Sequence, residues 1–219
     1  MTIANKAVVK EAAIKPGLTE QWDEETDVVV AGFGGAGAVT AITAKDSGSD
    51  VLILEKQPRD KHTPNTMMCG GLCHVANHVG EAARYFKAMA FGIGLPEGYG
   101  DPPHVYLRYP QQLVNEIAQA WADGVVKTGE FLRSLGDVRY QETIPSPAFP
   151  NFAGSQHYGT FTVEGGGIAL FDVLAKAVNS RGIKVLWESP TKRLVVNSQG
   201  EVVGVVAQQG GKQVNVKAR

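Results

Sequence analysis

One glycine-rich segment limits the folds open to this chain more than any other feature. Residues 32–37 read Gly-Phe-Gly-Gly-Ala-Gly and fit the pattern G-x-G-x-x-G. The apolar run at 27–31 predicts a buried strand before it, residues 35–47 predict a helix ended by Gly48, and 50–54 predict a second buried strand. A strand, a helix and a strand within about 30 residues form a βαβ unit. The segment therefore predicts an α/β fold with a parallel sheet.

The glycines of this segment have the chemistry of a dinucleotide site. A glycine at the first position permits a tight turn, the second lets the backbone approach a pyrophosphate, and the last lets the helix lie close to the sheet. The N–H groups at the helix start then face phosphate charge. We expect a dinucleotide to contact Gly32, Gly34, Gly35, Ala36 and Gly37.

Glu55 ends the second predicted strand, 18 residues after Gly37. A carboxylate at this place accepts hydrogen bonds from the adenosine ribose hydroxyls, and its charge repels a 2′-phosphate. The unit by itself therefore disfavours NADP and leaves FAD and NAD open.

The rest of the chain predicts further elements around this unit. We expect a polar arm over 1–24, a domain over 25–219, and a short helix at 81–91 within a stretch, 57–110, that is otherwise mostly loop. A long helix is expected over 113–135, with an apolar stripe that includes Leu113, Ile117 and Trp121, followed by a second loop over 137–166. The C-terminal third predicts a helix at 168–178, a strand at 183–187 that contains Trp187, and an antiparallel meander of three strands at 193–197, 201–207 and 212–218.

Charge and composition narrow the partners and the location. The formal net charge is −1 and there is no run of Lys and Arg, so we expect a small-molecule ligand and not nucleic acid or an anionic membrane surface. No stretch approaches the roughly 18 apolar residues of a membrane span. We read no signal peptide, and two cysteines give no disulfide framework, which together favour the cytoplasm.

Cys69, Cys73, His74 and His78 are metal or haem ligand types that lie close together in the sequence. Their C-x-x-x-C-H spacing is not the C-x-x-C-H of a c-type haem, and structural zinc sites usually draw ligand pairs from separated segments. We therefore predict no metal site.

The chain from about Thr26 to Arg219 resembles the fumarate reductase and succinate dehydrogenase flavoprotein superfamily, including its soluble fumarate reductase and 3-ketosteroid dehydrogenase branches. Three motifs carry the resemblance: the Glu55-Lys56 pair, the loop Asn-Thr-Met-Met-Cys-Gly-Gly at 65–71, and Ser-Pro-Thr-Lys-Arg-Leu at 189–194. The resemblance implies a Rossmann-like FAD-binding domain whose cofactor is also contacted by Lys56, Asn65, Thr66, Met67, Gly70, Gly71 and Thr191. His62-Thr63 stands two residues too far from the glycine pair for the family's covalent flavin link, so non-covalent FAD is expected.

The resemblance also implies an oxidoreductase that moves hydride between flavin and a C–C bond next to a carbonyl or carboxylate, with a dicarboxylate or a ketosteroid as substrate. Family members continue with a capping domain and a closing segment, whereas this chain stops at Arg219, so the domain is expected to be incomplete at its C-terminus and no catalytic residue is assigned. His157 lacks the arginine that accompanies it in the family and stays outside the predicted site. Two alternatives stay open: a truncated or split FAD-binding module that is inactive until a partner chain supplies the missing segments, and an NAD-binding subunit.

Overall fold

The computed structural model describes residues 21–99 and 109–219, and these form two compact units. The first contains residues 21–66 and Leu174–Arg219, and the second contains Met67–Val173 apart from 100–108. Most of the predicted polar arm, residues 1–20, lies outside the described residues.

The helices and strands of the described residues follow one another along the chain. They are β1 (Glu24–Thr26), β2 (Val28–Ala31), α1 (Gly35–Asp46), β3 (Val51–Leu54), β4 (Leu72–Ala76), α2 (Val79–Phe91), α3 (Gln111–Val125), α4 (Thr128–Ser134), β5 (Tyr140–Thr143), β6 (Tyr158–Val163), α5 (Gly166–Ser180), β7 (Lys184–Leu186), β8 (Thr191–Val196), β9 (Val202–Gln209) and β10 (Lys212–Ala218).

The predicted βαβ unit is confirmed in the first unit. β2 pairs parallel with β3, which pairs parallel with β7, so the sheet order is β2-β3-β7. α1 packs against β2 and β3 and buries Ala38, Ala41 and Ile42 completely. Small side chains on this face of α1 allow the helix to approach the sheet closely, and this places the helix N-terminus at the carboxyl ends of the strands.

The predicted meander is also confirmed, as β8, β9 and β10 in a sheet with the order β1-β10-β9-β8. The side chains of Leu52, Leu54, Val205, Ala207 and Val216 form a common core of this sheet and the parallel one. β1 pairs parallel with β10, and the Asp23 N–H donates to the Asn215 carbonyl at 2.9 Å. The last residues of the predicted arm thus belong to the sheet.

The prediction of one long helix over 113–135 was wrong. The structure has two helices, α3 and α4, separated at 126–127, and the buried face of α3 consists of Val114, Ala118, Ala122 and Val125. The predicted stripe residues Leu113 and Ile117 are 38% and 37% exposed. Two adjacent stripes of α3 are apolar, and the one with alanines packs against α2, because small side chains let two helices approach each other closely.

The two predicted loops contain a sheet that the sequence analysis missed. β4 lies within 57–110, β5 and β6 lie within 137–166, and the three pair antiparallel in the order β4-β6-β5 in the second unit. The helix predicted at 81–91 is confirmed as α2, and that at 168–178 as α5. In the part of the chain that the structure describes, no helix has the length and apolar character needed to cross a membrane.

Candidate functional site

The turn between β2 and α1 is held in a form that only glycine permits. Gly32 has φ +103°, and its N–H donates to the Leu54 carbonyl at 2.8 Å. A Cβ placed on Gly37 would lie 2.0 Å from the Gly32 carbonyl oxygen. The turn therefore folds its backbone onto the first turn of α1, as a loop that receives a pyrophosphate must.

The predicted Thr66 lies at the start of α1. Its Oγ1 accepts a hydrogen bond from the Gly35 N–H at 2.8 Å, and a Cβ on Gly35 would lie 2.7 Å from this oxygen. Asn65, next to it in a short 3₁₀ turn, is exposed. The first four N–H groups of a helix have no partner inside the helix, and Thr66 accepts the hydrogen bond of one of them.

Glu55 joins the end of β3 to the glycine turn. It is 4% exposed; its Oε2 accepts from the Phe33 N–H at 2.7 Å and its Oε1 accepts from the Gln57 N–H at 2.8 Å. An ionised carboxylate offers about four lone-pair positions. The two backbone bonds therefore orient the carboxylate and leave it capacity to accept from a ligand hydroxyl.

A cavity of about 310 Å³ opens beside this carboxylate. Its lining residues come from the ends of β2 and β3 and the start of β8: Ala31, Gly32, Leu54, Glu55, Lys56, Pro190 and Thr191. Its volume is at the lower end of the range for small-molecule sites. It brings together residues of three predicted motifs, namely Gly32, the Glu55-Lys56 pair and Thr191.

Thr191, one of the lining residues, carries a polar group without a hydrogen-bond partner among the described residues. Its Oγ1 is buried and has no hydrogen-bond partner among the described residues. A buried hydroxyl without a partner costs free energy that a polar ligand can recover. The orphaned hydroxyl, the oriented carboxylate and the close backbone turn together fit the adenosine diphosphate half of a dinucleotide.

Phe33, His62 and Trp187 form an aromatic layer next to Glu55, and the sequence did not predict that they meet. The His62 ring is stacked on Phe33, with centroids 5.5 Å apart and an interplanar angle of 11°, and it meets the edge of Trp187 at 5.1 Å. His62 Nε2 lies 3.6 Å from Glu55 Oε2, and both side chains are 6% exposed. Burial lowers the pKa of His62, although the charge of Glu55 opposes this shift. Phe33, His62 and Trp187 lie far apart in the chain, so their contacts leave no local sequence signal.

The predicted residues Met67, Gly70 and Gly71 belong to the second unit. Gly71 has φ +73°, and a Cβ on it would lie 2.6 Å from the Gly166 carbonyl carbon. Cys69, whose carbonyl accepts from the Gly167 N–H at 2.9 Å, also accepts through Sγ from the Gly71 N–H at 3.3 Å. The glycine pair is therefore held against the turn that begins α5.

The three histidines described in the second unit, His74, His78 and His157, have partners of their own. The Tyr158 hydroxyl and His74 Nδ1 are hydrogen-bonded, and burial raises the pKa of Tyr158. His78 caps α2 by accepting from the Glu81 N–H at 3.2 Å, and His157 Nδ1 lies 2.8 Å from Asn77 Oδ1. Within residues 21–99 and 109–219 no three His, Cys, Asp or Glu side chains are grouped as metal ligands.

Comparison with known proteins identifies a matching family and similar proteins. A family described as "FAD binding domain" matches residues 27–219. The protein named "Probable fumarate reductase Ifc3" of Shewanella frigidimarina is 28% identical over 193 residues, which cover 84% of this chain and 29% of that protein.

Two solved structures share the fold. The 3-ketosteroid-Δ4-(5α)-dehydrogenase from Rhodococcus jostii, in complex with 4-androstene-3,17-dione, has a TM-score of 0.70 at 24% identity over 94% of this chain and 47% of its own. The open conformation of a flavocytochrome c3 fumarate reductase has a TM-score of 0.61 at 24% identity over 90% of this chain and 33% of its own. The chain thus spans less than half of the length of each of these relatives.

Proposed function

The chain belongs to the FAD-binding domain family, and from that membership we propose that it forms the FAD-binding part of a flavin-dependent oxidoreductase of the fumarate reductase and succinate dehydrogenase flavoprotein type. The observation that carries this proposal is the cavity at the carboxyl ends of β2 and β3, whose lining includes Glu55, with its oriented carboxylate, and Thr191, with its orphaned hydroxyl. Ligands of open α/β sheets bind outside the carboxyl ends of the strands.

Different residues of the first unit would contact different parts of the cofactor. The turn from Gly32 to Gly37, with the start of α1, would hold the pyrophosphate, because its backbone N–H groups and the helix dipole favour negative charge. Glu55 would accept from the ribose hydroxyls, and the strand start at Thr191 would lie against the adenine. Lys56, which lines the same cavity, adds positive charge beside the phosphates.

The loop with Met67, Gly70 and Gly71 is proposed to contact the flavin, as the resemblance implies. Bound non-covalently, FAD supplies hydride transfer through its isoalloxazine ring, while the protein positions the cofactor and tunes its electrostatics. The named relatives suggest the substrate class: a ketosteroid or a dicarboxylate such as fumarate, with the reacting C–C bond next to a carbonyl or carboxylate. A cytoplasmic location is part of the same proposal.

The visible absorption spectrum of the purified chain tests cofactor binding. After FAD is added and the unbound excess is removed by gel filtration, we expect the two absorption bands of oxidised flavin to remain with the protein. Acid precipitation should then release all the flavin into the supernatant, because no covalent link holds it. A colourless protein would contradict the proposal for this chain and would favour a module that needs a partner segment. Flavin in the pellet would contradict non-covalent binding.

An assay of turnover distinguishes a dicarboxylate substrate from a ketosteroid substrate. The chain loaded with FAD is given an artificial electron donor and, separately, fumarate or 4-androstene-3,17-dione. Reduction of either compound would assign the class, and both are assayed with a protein-free control. Absence of turnover in a chain that retains FAD would leave the cofactor assignment intact and would contradict an independent enzyme.

A Thr191→Val substitution tests the orphaned hydroxyl. Valine has nearly the same shape and needs no hydrogen bond, so we expect the free energy of unfolding without FAD to stay unchanged or to rise by about 1 kcal/mol. FAD should bind about 3- to 10-fold more weakly, the loss of one hydrogen bond. Fluorescence quenching during titration with FAD measures the affinity, and thermal unfolding without FAD measures the stability. Thr162→Val, on β6 in the other unit, is the matched control, and equal FAD affinity of both variants would remove the Thr191 hydroxyl from the site.

A further inference from the structure

The layer formed by Phe33, His62 and Trp187 lies directly against the carboxylate proposed to bind ribose. Phe33 connects the two, because its N–H donates to Glu55 Oε2 while its ring stacks on His62. Trp187 closes the layer from the strand side by meeting both rings edge-on, at 5.7 Å from Phe33 and 5.1 Å from His62. His62 is therefore confined between two aromatic rings, with one ring nitrogen directed at Glu55.

The distance between His62 and Glu55 makes this contact sensitive to a proton. At 3.6 Å, Nε2 and Oε2 are too far apart for a good hydrogen bond but close enough for an ion pair. A protonated imidazole would donate to Oε2 in a charge-assisted bond, which is shorter and stronger than a neutral one. It would then compete with a ribose hydroxyl for the same carboxylate.

We propose that His62 is a positioning residue for Glu55: the neutral ring supports the carboxylate in its ribose-binding orientation, and the protonated ring engages the carboxylate and weakens its bond to the ribose. This inference rests on the proposed nucleotide site. Among the described residues, the charged group that faces His62 is Glu55, which follows β3. The rings of Phe33 and Trp187 on its other faces are uncharged, although a hydrogen bond with the Phe33 backbone also favours the protonated imidazole. Its chain neighbours Arg59, Asp60 and Lys61 are exposed.

The sign of the pH dependence follows from these contacts. Burial lowers the pKa of His62 from its ordinary value of 6.5, with Glu55 opposing the shift. The ring is therefore neutral at pH 7.5 and becomes charged only at a pH below that ordinary value. Ribose recognition should be complete at neutral pH and should weaken on acidification.

The ratio of affinities for ADP and 2′-deoxy-ADP isolates the contact of Glu55 with the ribose, because the phosphates and the base are common to both probes. The ratio is measured by calorimetry on the full 219-residue chain between pH 7.5 and 5.0. We expect wild type to prefer ADP by about 10- to 150-fold at pH 7.5, the range of a hydrogen bond to a charged group. The preference should fall at least threefold by pH 5.0.

The His62→Phe variant keeps an aromatic ring between Phe33 and Trp187 but cannot be protonated. We expect it to retain the ADP preference at both pH values, whereas a merely structural role of the ring would change both nucleotide affinities equally. The half-buried His157 of the second unit supplies the control His157→Gln, which should follow the wild-type profile. Far-UV circular dichroism at both pH values checks that each variant is folded. A preference that is constant in wild type, or that falls equally in His62→Phe, would overturn the proposal.

A measurement without nucleotide distinguishes this inference from the proposed function. The imidazole Cε1–H resonance of His62, assigned by its loss in His62→Phe, gives the pKa of His62 by NMR. Glu55→Gln removes the opposing charge, so the pKa of His62 should fall further. An unchanged pKa would overturn the coupling of His62 to Glu55, whereas a lowered pKa in a chain that binds neither nucleotide would leave the coupling intact and contradict the proposed site.

Discussion

Replacement of Gly37 by alanine is expected to abolish retention of FAD and to lower the free energy of unfolding by about 1–3 kcal/mol, the usual cost of an overpacked site. The new Cβ would lie 2.0 Å from the Gly32 carbonyl oxygen and 3.3 Å from a methyl group of Val30. Its nearest neighbour is backbone, which cannot rotate away as a side chain can. The turn must therefore move, and with it the N–H groups proposed to hold the pyrophosphate.

Gel filtration with FAD and thermal unfolding measure the two effects of Gly37→Ala. Gly124→Ala is the control, since this glycine lies in α3, has an ordinary φ and would place its Cβ in open space. Alanine is favoured over glycine in a helix by about 0.5–1 kcal/mol, so the control should unfold at a slightly higher temperature and retain FAD. A Gly37→Ala chain that keeps both its melting temperature and its flavin would contradict the close approach of the turn to α1.

Glu55→Gln is expected to weaken FAD binding by about 1–3 kcal/mol, or roughly 5- to 150-fold. In the structure one carboxylate oxygen serves the Phe33 N–H and the other serves the Gln57 N–H. The amide of glutamine has only one oxygen, so one of these donors would face an NH₂ group. The ribose would also lose a charged acceptor, and the free energy of unfolding should fall together with the affinity.

Fluorescence titration of FAD and chemical denaturation measure this second prediction. Glu25→Gln is the matched control, because it removes one carboxylate charge from β1 of the same unit, where Glu25 pairs with Lys217 at the surface. Exposed ion pairs contribute at most about 1 kcal/mol. Equal FAD affinity of the two variants would exclude Glu55 from the cofactor site, and an unchanged stability of Glu55→Gln would contradict its two hydrogen bonds from backbone N–H groups.

The βαβ unit and the meander could be predicted from the sequence because each depends on local sequence patterns. The glycine segment with its flanking strands predicted the βαβ unit, because the turn, the helix start and the buried strands each have a short-range signature. The meander was predicted from its turn glycines in the same way. Family membership and FAD as the cofactor are confirmed by the family match over residues 27–219. The roles of the individual site residues stay predictions.

The tertiary structure decided the features that join distant parts of the chain. β4 and β6 pair across a long separation, so neither strand shows the turn signal of a hairpin, and both were assigned to loops. The buried stripe of α3 depended on which of two apolar faces could approach α2 closely. The layer beside Glu55 joins His62 to Phe33 and Trp187, which are distant from it in the chain. Local patterns record what a segment does with its neighbours in the chain, whereas long-range packing and hydrogen bonding determine which partners it meets.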